Sequence, residues 1–273
     1  MALIAAKYIG GFDRVIGYGI DDIDKLFFSK YENILSQERG GGYWLWKPYL
    51  IRKTMAQLSE GDCLFYSDAG AYFLKNANVL IDELENSNQD IMAFELPLIE
   101  EQWSKKELFI NMKCESGAYC KSNHIAASLI LIKKTNKSIN FVEEYLEYAC
   151  NEINITDLHD TNVVQKKHYI EHRHDQSIFS LLYKKYGFRP FKDPTQYGKY
   201  PIGYSGGAEG VDIEEAGKLY LLKNGRMFRF FQYKEPYEMV LFHNRKAGII
   251  ISLIKFFFKE ALYKTGISNS LVR

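Results

Sequence analysis

Cysteine is scarce: Cys63, Cys114, Cys120 and Cys150 are the only four among 273 residues, with no CxxC pair. That argues against a disulfide-stapled scaffold and for reduced thiols in a cytosolic protein. Cys114, Cys120 and His124 have a spacing that matches no common zinc site. Charge of one sign is scarcer still. The formal net charge is +1, so bulk electrostatics give no reason to expect nucleic acid as a partner. No apolar run reaches the roughly 18 residues that would mark a membrane span. The start, MALIAAKYIGGFDR, has no basic opening, long apolar stretch or cleavage site, and does not read as a secretory signal. Low-complexity linkers and internal repeats are missing as well. The chain therefore reads as one domain over residues 1–246 with a C-terminal extension over 247–273.

What is present is an ordinary globular balance, 47% hydrophobic and 25% charged, in a chain long enough to bury a sizeable core. Aromatic residues are plentiful, with 20 Tyr and 18 Phe. They fit either a ring-rich core or surfaces that stack on sugars. Strand-like and helix-like segments alternate. RVIGY (14–18) predicts a short strand. DKLFFSKYENILSQ (24–37) has a helical period, with Leu26, Phe27, Tyr31, Ile34 and Leu35 on one face. KPYLIRKTMAQLSE (47–60) opens a helix on Lys47-Pro48. Strands follow at 63–67, 90–96 and 128–134, and helices at about 73–87, 138–152 and 175–187, the last stopped by Gly187. Alternation of this kind predicts α/β layers around a mainly parallel central sheet.

In such sheets, ligands sit beyond the carboxyl ends of strands. GDCLFYSDAG (61–70) carries an apolar strand to Asp68 and then to the small residues Ala69 and Gly70. Asp68 is either a turn cap or a carboxylate presented to a cleft. RGGGYWLWKPYLI (39–51) sets a glycine triplet before Tyr43, Trp44 and Trp46, which are either core anchors or neighbours of a ligand that the backbone approaches closely. HRHDQS (172–177) places Asp175 and Gln176 at a helix start, where a cap or an anion-binding role is open. LFHNRK (241–246) offers His243, Arg245 and Lys246 as a grip on a diphosphate.

Together these four motifs resemble bacterial polysaccharide glycosyltransferases of the GT-A fold, which build capsule, O-antigen or related glycans from nucleotide-sugars. The resemblance runs from about residue 3 to about residue 246. It implies a nucleotide-diphospho-sugar transferase of hexosyltransferase type, with a UDP-sugar donor and a glycan or lipid-linked glycan acceptor. By the same resemblance, Asp68 opens the acidic metal motif and His243 completes a Mn2+ or Mg2+ site. Gly70 stands where the family carries its second carboxylate. Asp175 and Gln176 are then catalytic residues beside the transferred sugar. Asp68, Arg39, Tyr43, Trp44, Lys47, Arg245 and Lys246 hold the nucleotide. The family opens on an apolar strand that is not seen here. With Gly70, this keeps a second expectation open, a non-catalytic carbohydrate- or nucleotide-binding protein derived from a transferase. No glycine-rich, Lys-ended phosphate loop supports a nucleotidyltransferase.

Two segments remain. RPFKDPTQYGKYPIGYSGG (189–207) reads as a long loop, either plain surface or a lid over the acceptor. AGIIISLIKFFFKEALYKTG (247–266) is an amphipathic helix. It is expected either to pack on the domain or to lie at the inner face of the cell membrane through residues 247–264, making a cytoplasmic protein peripheral.

Overall fold

The computed structural model describes residues 1–205, 215–244 and 248–264. Seven strands are found among them: β1 (Cys63–Ser67), β2 (Ala71–Phe73), β3 (Ile91–Ile99), β4 (Asn123–Lys133), β5 (Leu219–Leu221), β6 (Met227–Arg229) and β7 (Leu241–His243). The described helices longer than six residues are α1 (Trp46–Met55), α2 (Asn78–Asn86), α3 (Asn136–Ala149), α4 (His174–Lys185) and α5 (Ile249–Lys264). The α/β layering matches the expectation, but the sheet does not. The main sheet has the order β1-β4-β3-β6-β5, a separate ribbon joins β2 to β7, and every named pair is antiparallel.

The reason lies in β3 and β4, which are buried on both faces almost throughout. A strand covered on both faces carries a continuous apolar run, and that run is silent about the direction of its neighbour. β1 and β3 do run the same way, as strands joined through a helix should. β4 returns between them, with Tyr66 opposite Ile130 and Ala93 opposite the same residue on the far side. One face of the sheet packs Ile91, Ala93, Ile130 and Ile132 against Leu50 of α1, Phe141 and Tyr145 of α3, and Ile178 and Leu182 of α4. The other packs Met92, Phe94, Leu129 and Leu131 against Leu80 and Leu84 of α2 and against Ala71, Phe73 and Leu241 of the ribbon.

Local chemistry sets the helix ends. Thr135 accepts from the Ser138 amide at 3.1 Å while the Ser138 hydroxyl accepts from the Thr135 amide at 2.9 Å, a reciprocal cap on α3. Gly187, at φ 72°, follows α4 in the left-handed conformation that ends many helices. The expected helix over 24–37 is broken at Tyr31 into Lys25–Lys30 and Glu32–Leu35. The expected strand at 14–18 does not form. None of the described strands pairs with it, and Tyr18 instead hydrogen-bonds Thr54 on α1 at 2.8 Å. Helix α2 begins only at Asn78 because residues 71–73 are taken by the ribbon.

Candidate functional site

Five stretches distant in sequence, Ser128 of β4 among them, close around one cavity of about 670 Å³. The first is the end of β1. The Asp68 amide donates to the Ser128 carbonyl at 2.9 Å, carrying the ladder one residue past the strand, and the Asp68 carbonyl accepts from the Ala71 amide at 3.0 Å. The turn so formed leads straight into β2. Asp68, Ala69, Gly70 and Tyr72 line the cavity. On the opposite strand of the ribbon, His243 pairs with Ala71, and the Asn244 amide donates to the Gly70 carbonyl at 2.7 Å. The Gln196 amide clasps the backbone of His243 from behind, donating to its carbonyl at 2.6 Å and accepting from its N–H at 2.9 Å. The described part of the expected lid is therefore a brace for His243, and none of its residues lines the cavity.

Lys47 links the two acidic residues. It sits in the first turn of α1 at 3% exposure, and its Nζ lies 2.7 Å from Asp175 Oδ2 and 3.9 Å from Asp68 Oδ1. Tyr145 donates to Asp175 Oδ2 at 3.0 Å, and Tyr66 donates to Asp68 Oδ1 at 2.8 Å. Burial, reinforced by the facing carboxylates, pushes both phenols well above their usual range, so they remain donors. Burial also raises the Asp175 pKa. Lys47 and Tyr145 oppose that shift, and Asp68 adds to it. A buried ammonium is tolerated only where charge and hydrogen bonds compensate its lost hydration. Here Tyr145, Asp175, Lys47, Asp68 and Tyr66 form one continuous polar chain.

Gln176, next on α4, accepts from the Ala127 amide at 3.3 Å, and its Nε2 lies 3.4 Å from His124 Nδ1. Behind it His124 Nε2 is 3.1 Å from the fully buried Glu100, which also takes bonds from Ser104, Ser180 and Lys184. Burial lowers the His124 pKa to about 4, so the ring is neutral, and Lys184 is the cation that holds Glu100 ionised. The Cys114 and Cys120 thiols point to backbone carbonyls in the core, and His124 turns to these polar partners instead.

The glycine triplet builds a left-handed turn. Gly40, Gly41, Gly42, Tyr43 and Trp44 have φ of 61, 56, 94, 52 and 60°, five left-handed residues in succession. A Cβ on Gly42 would stand 2.6 Å from Leu35 Cα, and one on Gly40 would stand 2.4 Å from the Trp44 ring. Left-handed geometry costs Tyr43 and Trp44 about 1–2 kcal/mol each. The turn delivers Trp44 to the cavity wall, stacked on His174 with centroids 5.5 Å apart and planes at 23°. Trp46 Nε1 closes the turn on the Gly40 carbonyl at 3.0 Å and packs on the core. His174 is itself left-handed, at φ 50°. Burial lowers its pKa to about 4, so the neutral ring donates from Nδ1 to the Ile155 carbonyl at 2.8 Å.

Of the residues expected from sequence, Arg39, Trp44, Lys47, Asp68, Asp175, Gln176 and His243 meet at the cavity. Tyr43 stands one ring behind it, against His174 and hydrogen-bonded to Asp157 at 3.2 Å. Arg245 and Lys246 lie outside the described residues. Sequence reading passed over Arg173 and His174, which line the cavity and stand inside the quoted HRHDQS motif. It also passed over Tyr66 and Tyr145, for which only their aromatic strand and helix positions were visible. Arg39 reaches Asp157 at 3.3 Å and Glu171 at 3.7 Å, and Glu171 also binds Arg173 at 2.8 Å, so the rim cations are held in place. Asp68 and His243 offer one carboxylate and one imidazole. No group of three or more His, Cys, Asp or Glu side chains suited to a metal ion occurs among the described residues. A Mn2+ or Mg2+ ion held by Asp68 and His243 would take its remaining ligands from substrate phosphates and water.

A scan against protein-family models and a search of curated proteins return no match. Among solved structures, apo mouse xyloside xylosyltransferase 1 is similar over 80% of this chain and 70% of that chain, with 10% identity and a TM-score of 0.39. A likeness at that level carries no argument about what this chain does.

Proposed function

We propose that the protein is a glycosyltransferase that moves a sugar from a UDP-type nucleotide-sugar to a glycan acceptor in bacterial surface polysaccharide synthesis. One observation carries the reading: residues from all four motifs that resemble such enzymes line a single cavity, with a buried Lys47 between Asp175 and Asp68. The lining presents Arg39, Lys47 and Arg173, each beside an acidic neighbour, as the donors a diphosphate would draw on. Trp44 offers an aromatic wall to a base or to the apolar face of a sugar. In the reaction, the acceptor oxygen bonds the anomeric carbon as the bond from that carbon to the diphosphate oxygen breaks. The electron pair leaves with the nucleoside diphosphate. Cations aimed at the departing group stabilise the transition state more than the ground state. The acceptor proton passes to Asp175, whose proton affinity burial raises, or to the leaving phosphate.

Gly70 favours a second reading, a protein that binds the nucleotide-sugar or glycan without transfer, because the motif keeps one carboxylate where transferases of this kind carry two. The test is a panel of UDP-sugars with glycan acceptors, read as UDP release and as calorimetric binding. Acceptor-dependent UDP release, strongly reduced in Asp175→Asn with little change in donor affinity, is the expected outcome. Binding without release across the panel selects the second reading, and no binding overturns both.

A further inference from the structure

Helix α5 has two apolar faces, and the fold uses one. Ile249 and Glu260 are 6% and 5% exposed, and Leu253 and Phe256 pack with Tyr72, Leu74, Met239 and Phe242. Glu260 is held there by Lys199 at 2.8 Å. The other face is open: Ile250, Ile251, Ile254, Phe257 and Phe258 are 62, 59, 63, 48 and 64% exposed. At 3.6 residues per turn these five fall within an arc of about 120°. Lys255, exposed, borders that arc, and Lys259, also exposed, stands one turn further on. No described helix is long and apolar enough to cross a membrane.

We propose that this face docks on a bilayer bearing anionic headgroups, with the five apolar side chains in the acyl boundary and the Lys255 ammonium among the headgroup phosphates. The charge pattern selects this occupant. Residues 249–259 contain two lysines and no carboxylate, and the first acid, Glu260, faces inward. A second copy on the same face would bring the like charges of the two helices together, and residues 249–259 supply no carboxylate to offset them. The placement also suits the cavity, since Tyr72 both lines it and packs in the cluster beneath α5. Docking does not depend on the transfer reading, because it is measured without donor or acceptor.

The full chain is sedimented with phosphatidylcholine vesicles and with vesicles that also contain phosphatidylglycerol. It is expected to partition onto the anionic vesicles and to come off in high salt. Each lysine near an anionic surface is worth a factor of about five in partition, so Lys255→Gln should weaken binding about fivefold. Ile254→Glu with Phe258→Glu should abolish it while leaving circular dichroism unchanged, since both side chains project from the fold. Ile251→Ser and Phe257→Ser provide a second pair by the same criterion. Failure to sediment overturns the proposal, as does sedimentation that neither pair alters. A concentration-dependent dimer that the same variants convert to monomer, with no vesicle binding, assigns the face to a second copy instead.

Discussion

At the scale of single residues, Lys47 is a buried cation held between Asp175 and Asp68. Removing one member of a buried ion pair strands the other, at a cost of about 3–5 kcal/mol. Lys47→Met is therefore expected to lower the urea midpoint sharply, and adding Asp175→Asn should restore part of the loss. Strict additivity of the two in a double-mutant cycle would mean that they do not act as a pair. A second expectation concerns acid. His124 and His174 are buried with pKa values near 4, below the ordinary histidine value of 6.5. The unfolded chain then binds more protons than the folded one between those limits. Stability present above pH 6.5 is lost as pH falls toward about 4, by up to about 3 kcal/mol per ring. Urea midpoints in stepped buffers check this, and a flat profile from pH 7 to 5 contradicts it. Lys47 and Asp175 were visible in the sequence because each stands in a short distinctive motif. Tyr145 was not, since an aromatic residue in an amphipathic helix looks like any other core residue until its hydroxyl meets Asp175.

Among the elements, the left-handed turn over residues 40–44 is the one whose geometry is hardest to replace. Gly42→Ala adds a methyl group 2.6 Å from Leu35 Cα at a φ of 94°, so backbone strain and collision act together. Gly61→Ala meets only the backbone term, because no atom lies within 4 Å of its added Cβ at φ 86°. The second substitution should cost about 1 kcal/mol, and the first distinctly more, with loss of ligand binding as Trp44 is displaced. Thermal midpoints and nucleotide calorimetry on the pair separate the two effects, and equal midpoints would show that packing on Leu35 is unimportant. The glycine triplet announced an unusual backbone but not its handedness. Strand direction was hidden for a different reason. β3 and β4 are covered on both faces, and β2 and β7 are three-residue strands whose pairing depends on contacts far along the chain.

For the whole molecule, the layers could be read from alternating periodicities, whereas the convergence of four motifs could not be derived from any one of them. A ligand that bridges those motifs binds only the complete fold. A UDP-type nucleotide at about 100 times its dissociation constant should raise global stability by about 2.7 kcal/mol, read as a thermal shift. A ligand-free midpoint in the presence of every nucleotide tested would argue that the cavity serves another molecule. The ribbon carries a further consequence. Ala71 is held by His243, and Gly70 by Asn244, so the wall that follows the first strand is finished by residues made much later. A nascent chain emerging from the ribosome already possesses Lys47, Asp68 and Asp175, yet it lacks the strand that encloses them. Domains tend to fold as units during synthesis. The cavity wall is therefore completed only when residues 241–244 join the fold, and a chain ending before them is expected to leave that wall open.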